Sequence, residues 1–533
     1  MDKAAIYGIL LVTVLTSQIN CQEAILHISS GSTEQDFCIV NNNSWTPLSK
    51  TLDGAVQYPL VMISTLLCDS SGVDPAMVNG KALVVMRGDC TFSQKALVAQ
   101  MLGATTLLIA SNKTLVPPST NNTQEYSQIR IPLALMRYMD FLEAQQIFGN
   151  EMQAKLYAPP SPKIDASIGV MLLISVVTVA LGGYWSGACE RECLNSGTGG
   201  ESVGNKANSG DVSLYSPLKV FIFVAIMCGM LILMYYFYNI LVYVFIAIFS
   251  LASAIALFSC FDAVLEKLGC PSGSFTISNH SFSVRSLILA SVCISISVVW
   301  AFYRNEDRWI WILQDLLGIA FCLNFIKTIQ LSSFKICTIL LSLLLVYDVF
   351  FVFITPFFTK NGVSIMVQVA LGPDASGQRT GGDTVEVPAW PQTSTETIPV
   401  LMRVPWLSAW TQNLCGMQFS ILGYGDIIVP GLLVAYCSRF DVWINSTKKI
   451  YFLSCCIAYL LGMMVTFAAM LLSGMGQPAL LYLVPFTLIT SATVAGCRGE
   501  IKQFWTGTSY EVLESSQEPL SPEMRTDNSV EPC

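Results

Sequence analysis

Two aspartates lie in apolar runs where a charge is hard to accommodate. Asp348 follows Leu343-Leu344-Leu345-Val346-Tyr347, and Asp426 sits in Leu422-Gly423-Tyr424-Gly425-Asp426-Ile427-Ile428. A carboxyl group at bilayer depth is costly, so such residues face a bundle interior or a water-filled cavity and mark a functional site. Lys335 precedes Asp348 by thirteen residues, and Arg439 follows Asp426 by thirteen. With the two basic residues marking one membrane face, each carboxyl lies ~20 Å from it along a helix, so antiparallel neighbours would bring the pair level. Two level carboxyls in low dielectric cannot both ionise readily, so one keeps a proton and the pair titrates as a unit. Such a pair can hydrolyse a peptide: the ionised member takes a proton from water while the protonated one polarises the scissile carbonyl. No basic residue lies inside either run to neutralise them. Gly423 and Gly425 are expected to loosen the helix and allow close backbone approach at Asp426. Asp315, six residues past Trp309, reads instead as a helix-contact or solvated residue near an interface.

Other chemistries find little support. The two histidines, His27 and His280, lie outside the apolar runs. A His-Glu-x-x-His metal helix and a serine/histidine dyad are therefore excluded, and no metal or cofactor is expected. A transporter or channel using the same aspartates as ion ligands is the alternative, although no internal repeat accompanies them. A silent scaffold is the third reading.

The elements that must hold this pair follow from composition. Of 533 residues 53% are hydrophobic and 12% charged, which predicts a polytopic α-helical membrane protein. The net charge of -8 has its largest regional share from Arg498 onward, where seven acids face three bases; Cys21 to Ala166 carries twelve acids and nine bases. Neither region suggests a nucleic-acid partner. Residues 1–21, with Lys3 and an apolar run from Ala4 to Leu15, read as a secretory signal. Residues 22–166 are then luminal, consistent with sequons at Asn42, Asn112 and Asn121 and with at least one disulfide among Cys21, Cys38, Cys68 and Cys90, its pairing open.

Apolar runs near 167–186, 218–259, 286–303, 309–328, 336–355, 414–437, 450–473 and 478–496 follow. The second is long enough for two spans turning near Tyr238-Asn239, which makes nine transmembrane helices: six over 167–356 and three over 406–497. Basic residues including Lys206, Lys267, Lys335, Arg439, Lys448 and Arg498 then fall on the cytosolic side. Residues 357–405 form a luminal loop flanked by strand-like Val363–Val369 and Val400–Val404, whose edges are expected to pair with an unwound substrate. Residues 498–533 form an acidic cytosolic tail.

Two family resemblances follow from these residues. Arg87-Gly88-Asp89-Cys90-Thr91-Phe92, Lys95 and Gly103-Ala104, set between a buried strand and a helix, resemble a protease-associated domain, which implies a partner-binding module without catalytic groups. Tyr347-Asp348, Gly423-Tyr424-Gly425-Asp426 and Gln477-Pro478-Ala479-Leu480 resemble, in order and spacing, the three signatures of the intramembrane aspartyl proteases that include presenilin and signal peptide peptidase. The signal sequence and luminal domain point to the signal peptide peptidase-like 2 branch, where phenylalanine is usual at the position of Tyr424. The resemblance implies that Gln477, Pro478, Ala479 and Leu480 shape a substrate cleft beside the aspartates. It also implies single-pass type II membrane proteins as substrates, in contact with membrane lipid, and leaves a homo-oligomer open. Tyr510-Glu511-Val512-Leu513 resembles a sorting signal through Tyr510 and Leu513, which implies late endosome or lysosome, with plasma membrane or Golgi as alternatives.

Overall fold

The computed structural model describes residues 21–31, 33–42, 45–63, 66–70, 72–112, 115, 118, 127–149, 152–159, 165–195, 217–269, 274–277, 280–306, 309–359, 364–371, 398–407, 419–473 and 477–507. Residues 1–20 of the expected signal segment, Asn121, Tyr510 and Leu513 fall outside these residues.

The N-terminal part is built from seven strands: β1 (Cys21–Ser30), β2 (Thr33–Asn42), β3 (Gln57–Met62), β4 (Ala82–Met86), β5 (Thr106–Ser111), β6 (Leu133–Arg137) and β7 (Met152–Tyr157). They close in the order β1-β2-β6-β5-β4-β3-β7, with β3, β4, β5 and β6 parallel to one another and the remaining pairings antiparallel. Helices α1 (Phe92–Met101) and α2 (Tyr138–Phe148) supply two of the crossovers. Thr91 caps α1 by accepting from the Gln94 N–H at 3.2 Å. Gly103 ends that turn at φ +86°, where an added Cβ would meet Asn79 Oδ1 at 2.7 Å. Cys90, within the Arg-Gly-Asp-Cys stretch, is bonded to Cys68, and Cys38 is also in a disulfide. Lys95 is fully buried, and its ammonium donates to the Leu66 carbonyl, which satisfies a charge the core could not otherwise hold.

The helical part contains α3 (Ala166–Asn195), α4 (Pro217–Tyr236), α5 (Tyr238–Lys267), the hairpin β8 (Ser274–Ile277) and β9 (His280–Ser283), α6 (Val284–Tyr303), α7 (Ile310–Thr328) and α8 (Phe334–Val349). Then come α9 (Ile365–Leu371), a second hairpin of β10 (Leu401–Pro405) and β11 (Phe419–Gly423), α10 (Gly425–Trp443), α11 (Ile450–Ser473), α12 (Leu480–Arg498) and α13 (Ile501–Thr506). The 218–259 run breaks at Phe237, one residue before the expected turn.

Among the described residues eight helices are long and apolar enough to cross a membrane. The remaining long helix, α10, carries Asp426, Arg439 and Asp441. It tolerates them because it stands in the middle, packed against α3, α7, α8, α11 and α12, with Arg439 and Asp441 both 2% exposed. Arg439 donates through Nη2 to the Leu331 carbonyl at 3.1 Å, and Asp441 accepts from the Phe452 N–H at 2.8 Å.

Two sequence expectations change. The 414–437 run is not helical throughout: Phe419–Gly423 is a strand paired antiparallel with Leu401–Pro405, and the helix starts at Gly425. Conversely, the described part of the expected strand Val363–Val369 is helical: Ile365–Leu371 is a helix whose first turn is tied down by Ser364 Oγ accepting from the Val367 N–H at 3.2 Å.

Candidate functional site

Asp348 occupies the last turn of α8 and is 3% exposed. Beyond it the helix widens into a π-turn at Phe350–Ile354 and tightens into a 3-10 turn at Thr355–Phe357, so the regular backbone ladder is interrupted next to the carboxyl group. Asp348 Oδ2 accepts the Leu480 N–H at 3.3 Å. Leu480 is the first residue of α12, so an otherwise unpaired N–H at a helix N-terminus is aimed at the acid. This explains the Pro478-Ala479-Leu480 sequence physically. Pro478 has no N–H to satisfy, while Ala479 and Leu480, both 6% exposed, seat the helix start against Asp348. Gln477 instead bonds Ser473 Oγ at 2.9 Å.

Asp426 lies in the first turn of α10, reached directly from the strand β11. Its carbonyl accepts the Tyr459 hydroxyl at 3.3 Å. Asp348 lies on the adjacent helix α8. Among the described residues no basic group forms an ion pair with either acid. Arg439, used in the sequence as a surface marker, is buried, yet its bond to Leu331 ties it to the residues just before α8.

The flanking residues divide by role. At Gly423 a Cβ would lie 3.4 Å from Asp426 Oδ2, so this glycine keeps the space over the carboxylate open. At Gly425 an added Cβ would meet nothing within 4 Å, so crowding does not explain that glycine. Tyr347 packs its ring 4.8 Å from Phe351. Tyr424 is 4% exposed, stacks on Phe249 and donates its hydroxyl to the Gln314 carbonyl at 3.2 Å.

Three residues of α7 were not singled out for this site by sequence. Gly318 forms a notch for Tyr424: a Cβ there would fall 2.0 Å from Tyr424 Oη. Gln314 Nε2 donates to the Leu401 carbonyl at 2.8 Å, and Asp315 Oδ1 accepts the Arg403 N–H at 2.9 Å. Asp315 is therefore neither solvated nor a simple helix contact; it is 6% exposed and holds a strand. The signal was the Gln-Asp pair one turn before a glycine in an otherwise apolar run.

Away from this site, Asn112 is exposed, whereas Asn42 is 4% exposed with its side-chain nitrogen donated to the Pro118 carbonyl at 3.2 Å.

Comparison with known proteins agrees with this architecture. The signal peptide peptidase family profile matches residues 207–511, and the PA domain profile matches residues 56–143. Mouse (Mus musculus) signal peptide peptidase-like 2A is 44% identical over 510 residues, covering 95% of this chain and 94% of that protein. The human (Homo sapiens) 2A protein is 47% identical, covering 92% of this chain and 91% of its own length. Chicken (Gallus gallus) signal peptide peptidase-like 2B is 44% identical, with 94% and 83% covered. A polytopic helical membrane protease with an attached PA domain is the class these features define. The chain belongs to the signal peptide peptidase family, in its signal peptide peptidase-like 2 branch, and is an intramembrane aspartyl protease that acts on membrane proteins within the bilayer.

Proposed function

We propose that the protein cuts the membrane-spanning segments of single-pass type II proteins, with Asp348 and Asp426 jointly activating water. The observation that carries this reading is that Asp348, bonded to the N-terminus of α12, lies on a helix packed against the one that bears Asp426, with no ion pair to either acid among the described residues. The Leu480 N–H favours a negative charge on Asp348. In this reading the ionised acid takes a proton from water, and the partner donates a hydrogen bond to the scissile carbonyl and stabilises the oxyanion that forms. Peptide bonds inside a helix are shielded, so the substrate must first unwind.

The unwound segment adds to the free edge of β11. Tyr424 N–H bonds the Val400 carbonyl, so in the antiparallel register 422/402 and 420/404 are also bonded pairs, and the N–H and C=O groups of Ile421 and Gly423 point to the outer edge. An added strand would run straight past Asp426. Pro478, Ala479 and Leu480 wall the same cleft.

In the orientation we propose, the N-terminal domain is luminal and Arg498 onward cytosolic. That suits late endosome or lysosome, with Tyr510-Glu511-Val512-Leu513 as the sorting signal. The test is reconstitution of the purified protein with one single-span substrate made in both orientations. Type II insertion should be cut at least about tenfold faster, a difference of ~1.4 kcal/mol in transition-state binding. Equal cutting would remove the type II assignment.

A further inference from the structure

A two-stranded hairpin has two outer edges, and an extended peptide can add to either. Only addition at β11 leads the peptide to Asp426, because β11 is the strand that runs into Gly425-Asp426. The register places the outward groups of β10 on Leu401 and Arg403. Two of these four groups are already taken by side chains: the Leu401 carbonyl accepts from Gln314 Nε2 at 2.8 Å, and the Arg403 N–H donates to Asp315 Oδ1 at 2.9 Å. On β11, the equivalent groups of Ile421 and Gly423 have no hydrogen-bond partner among the described residues.

We propose that Gln314 and Asp315 are positioning residues that occupy the outer edge of β10, which leaves β11 as the single open edge and fixes its register beside Asp426. The inference rests on the functional reading above and adds to it the device that selects the edge. Both side chains are buried, at 5% and 6% exposure, and sit on the helix that also grips β11 from its far end. There Tyr424 donates its hydroxyl to the Gln314 carbonyl while its ring fills the notch at Gly318. One turn of α7 thus holds both strands, the closed edge by side chains and the open strand through Tyr424. Satisfying a buried strand edge would by itself account for an amide and an acid here. The further consequence of edge selection is a fixed cleavage position, because a hairpin free to shift, or one with both edges open, would present different peptide bonds to the aspartates.

The experiment uses the full-length protein in liposomes with a single-span substrate, and reads product termini by mass spectrometry together with kcat and KM. Asp315→Ala and Gln314→Ala should spread cleavage over neighbouring bonds and lower kcat about tenfold, with KM changed less than about twofold. Asp315→Asn keeps an acceptor for the Arg403 N–H and should retain the original cleavage position. Should Asp315→Ala fail to accumulate, Gln314→Ala carries the same prediction. Original positions and rate in the Ala variants would overturn the inference, as would spreading in Asp315→Asn equal to that in Asp315→Ala. No cleavage by the unaltered protein would instead defeat the functional reading, and this inference with it.

Discussion

Gly318→Ala isolates the coupling between α7 and the catalytic strand. The added Cβ would fall 2.0 Å from Tyr424 Oη, 2.1 Å from Cζ and 2.5 Å from Cε1. All three atoms belong to one rigid ring, buried and stacked 6.3 Å from Phe249, so the ring cannot simply rotate away. To restore ordinary contact it must retreat by more than about 1 Å, and such overpacking costs ~1–3 kcal/mol. Alanine recovers ~0.5–1 kcal/mol of helix propensity relative to glycine, so net stability should fall by no more than ~2.5 kcal/mol. Activity should fall much further. Tyr424 sits two residues before Asp426, and a displacement of about 1 Å at a reacting group costs on the order of 100-fold in rate. The assay is cleavage of a single-span substrate, measured for Gly318→Ala with Tyr424 present and with Tyr424→Leu, alongside thermal unfolding. Removing the ring should remove most of the alanine penalty, a coupling of up to ~2.7 kcal/mol for the 100-fold loss. The same fractional loss in both backgrounds would refute the notch as the route of the effect.

Three further expectations follow from single contacts. Ile421→Pro deletes an outward N–H of β11 without touching its pairing to β10, so substrate cleavage should drop while unfolding temperature stays nearly constant; unchanged cleavage would rule out addition at that edge. Glu500 accepts from Arg498 at 3.0 and 2.9 Å and from the Tyr451 hydroxyl at 2.8 Å, and the Arg498 guanidinium holds its carboxyl below the usual glutamate range. A lowered folded pKa gives stability that is present above the ordinary glutamate pKa of about 4.3 and lost as pH falls through the lower folded value. Glu500→Gln should therefore cost ~0.5–1 kcal/mol near pH 7 and nothing at strongly acid pH, read by thermal unfolding at the two pH values. With the N-terminal domain luminal as proposed, glycopeptide mapping should find sugar at the exposed Asn112 and none at the buried, hydrogen-bonded Asn42.

The two acids were legible because carboxyls in apolar runs are rare. The strand between them and the loop was not. Phe419-Ser420-Ile421-Leu422-Gly423 is as apolar as the helix that follows it, and periodicity cannot separate a short buried strand from a helix. What decides the matter is Leu401–Pro405, a partner too remote in sequence for a local pattern to supply. The expected strand Val363–Val369 failed in the opposite sense over its described part, where Ser364 starts a helix. Asp315 was misread for the same reason as β11, since its partner is the backbone of Arg403 on that remote strand. Arg439 illustrates the limit of charge as a depth marker, being buried against Leu331 rather than exposed at a membrane face.

The most direct test of the central claim is the cleavage rate of Asp348→Ala, Asp426→Ala and the double variant on one single-span substrate, with each protein shown to be folded. If the two carboxyls act as one unit, either single change should lower kcat by at least about 1,000-fold, and the double variant should be no worse than the singles. Cleavage persisting near the unaltered rate in either single variant would contradict the paired-aspartate account.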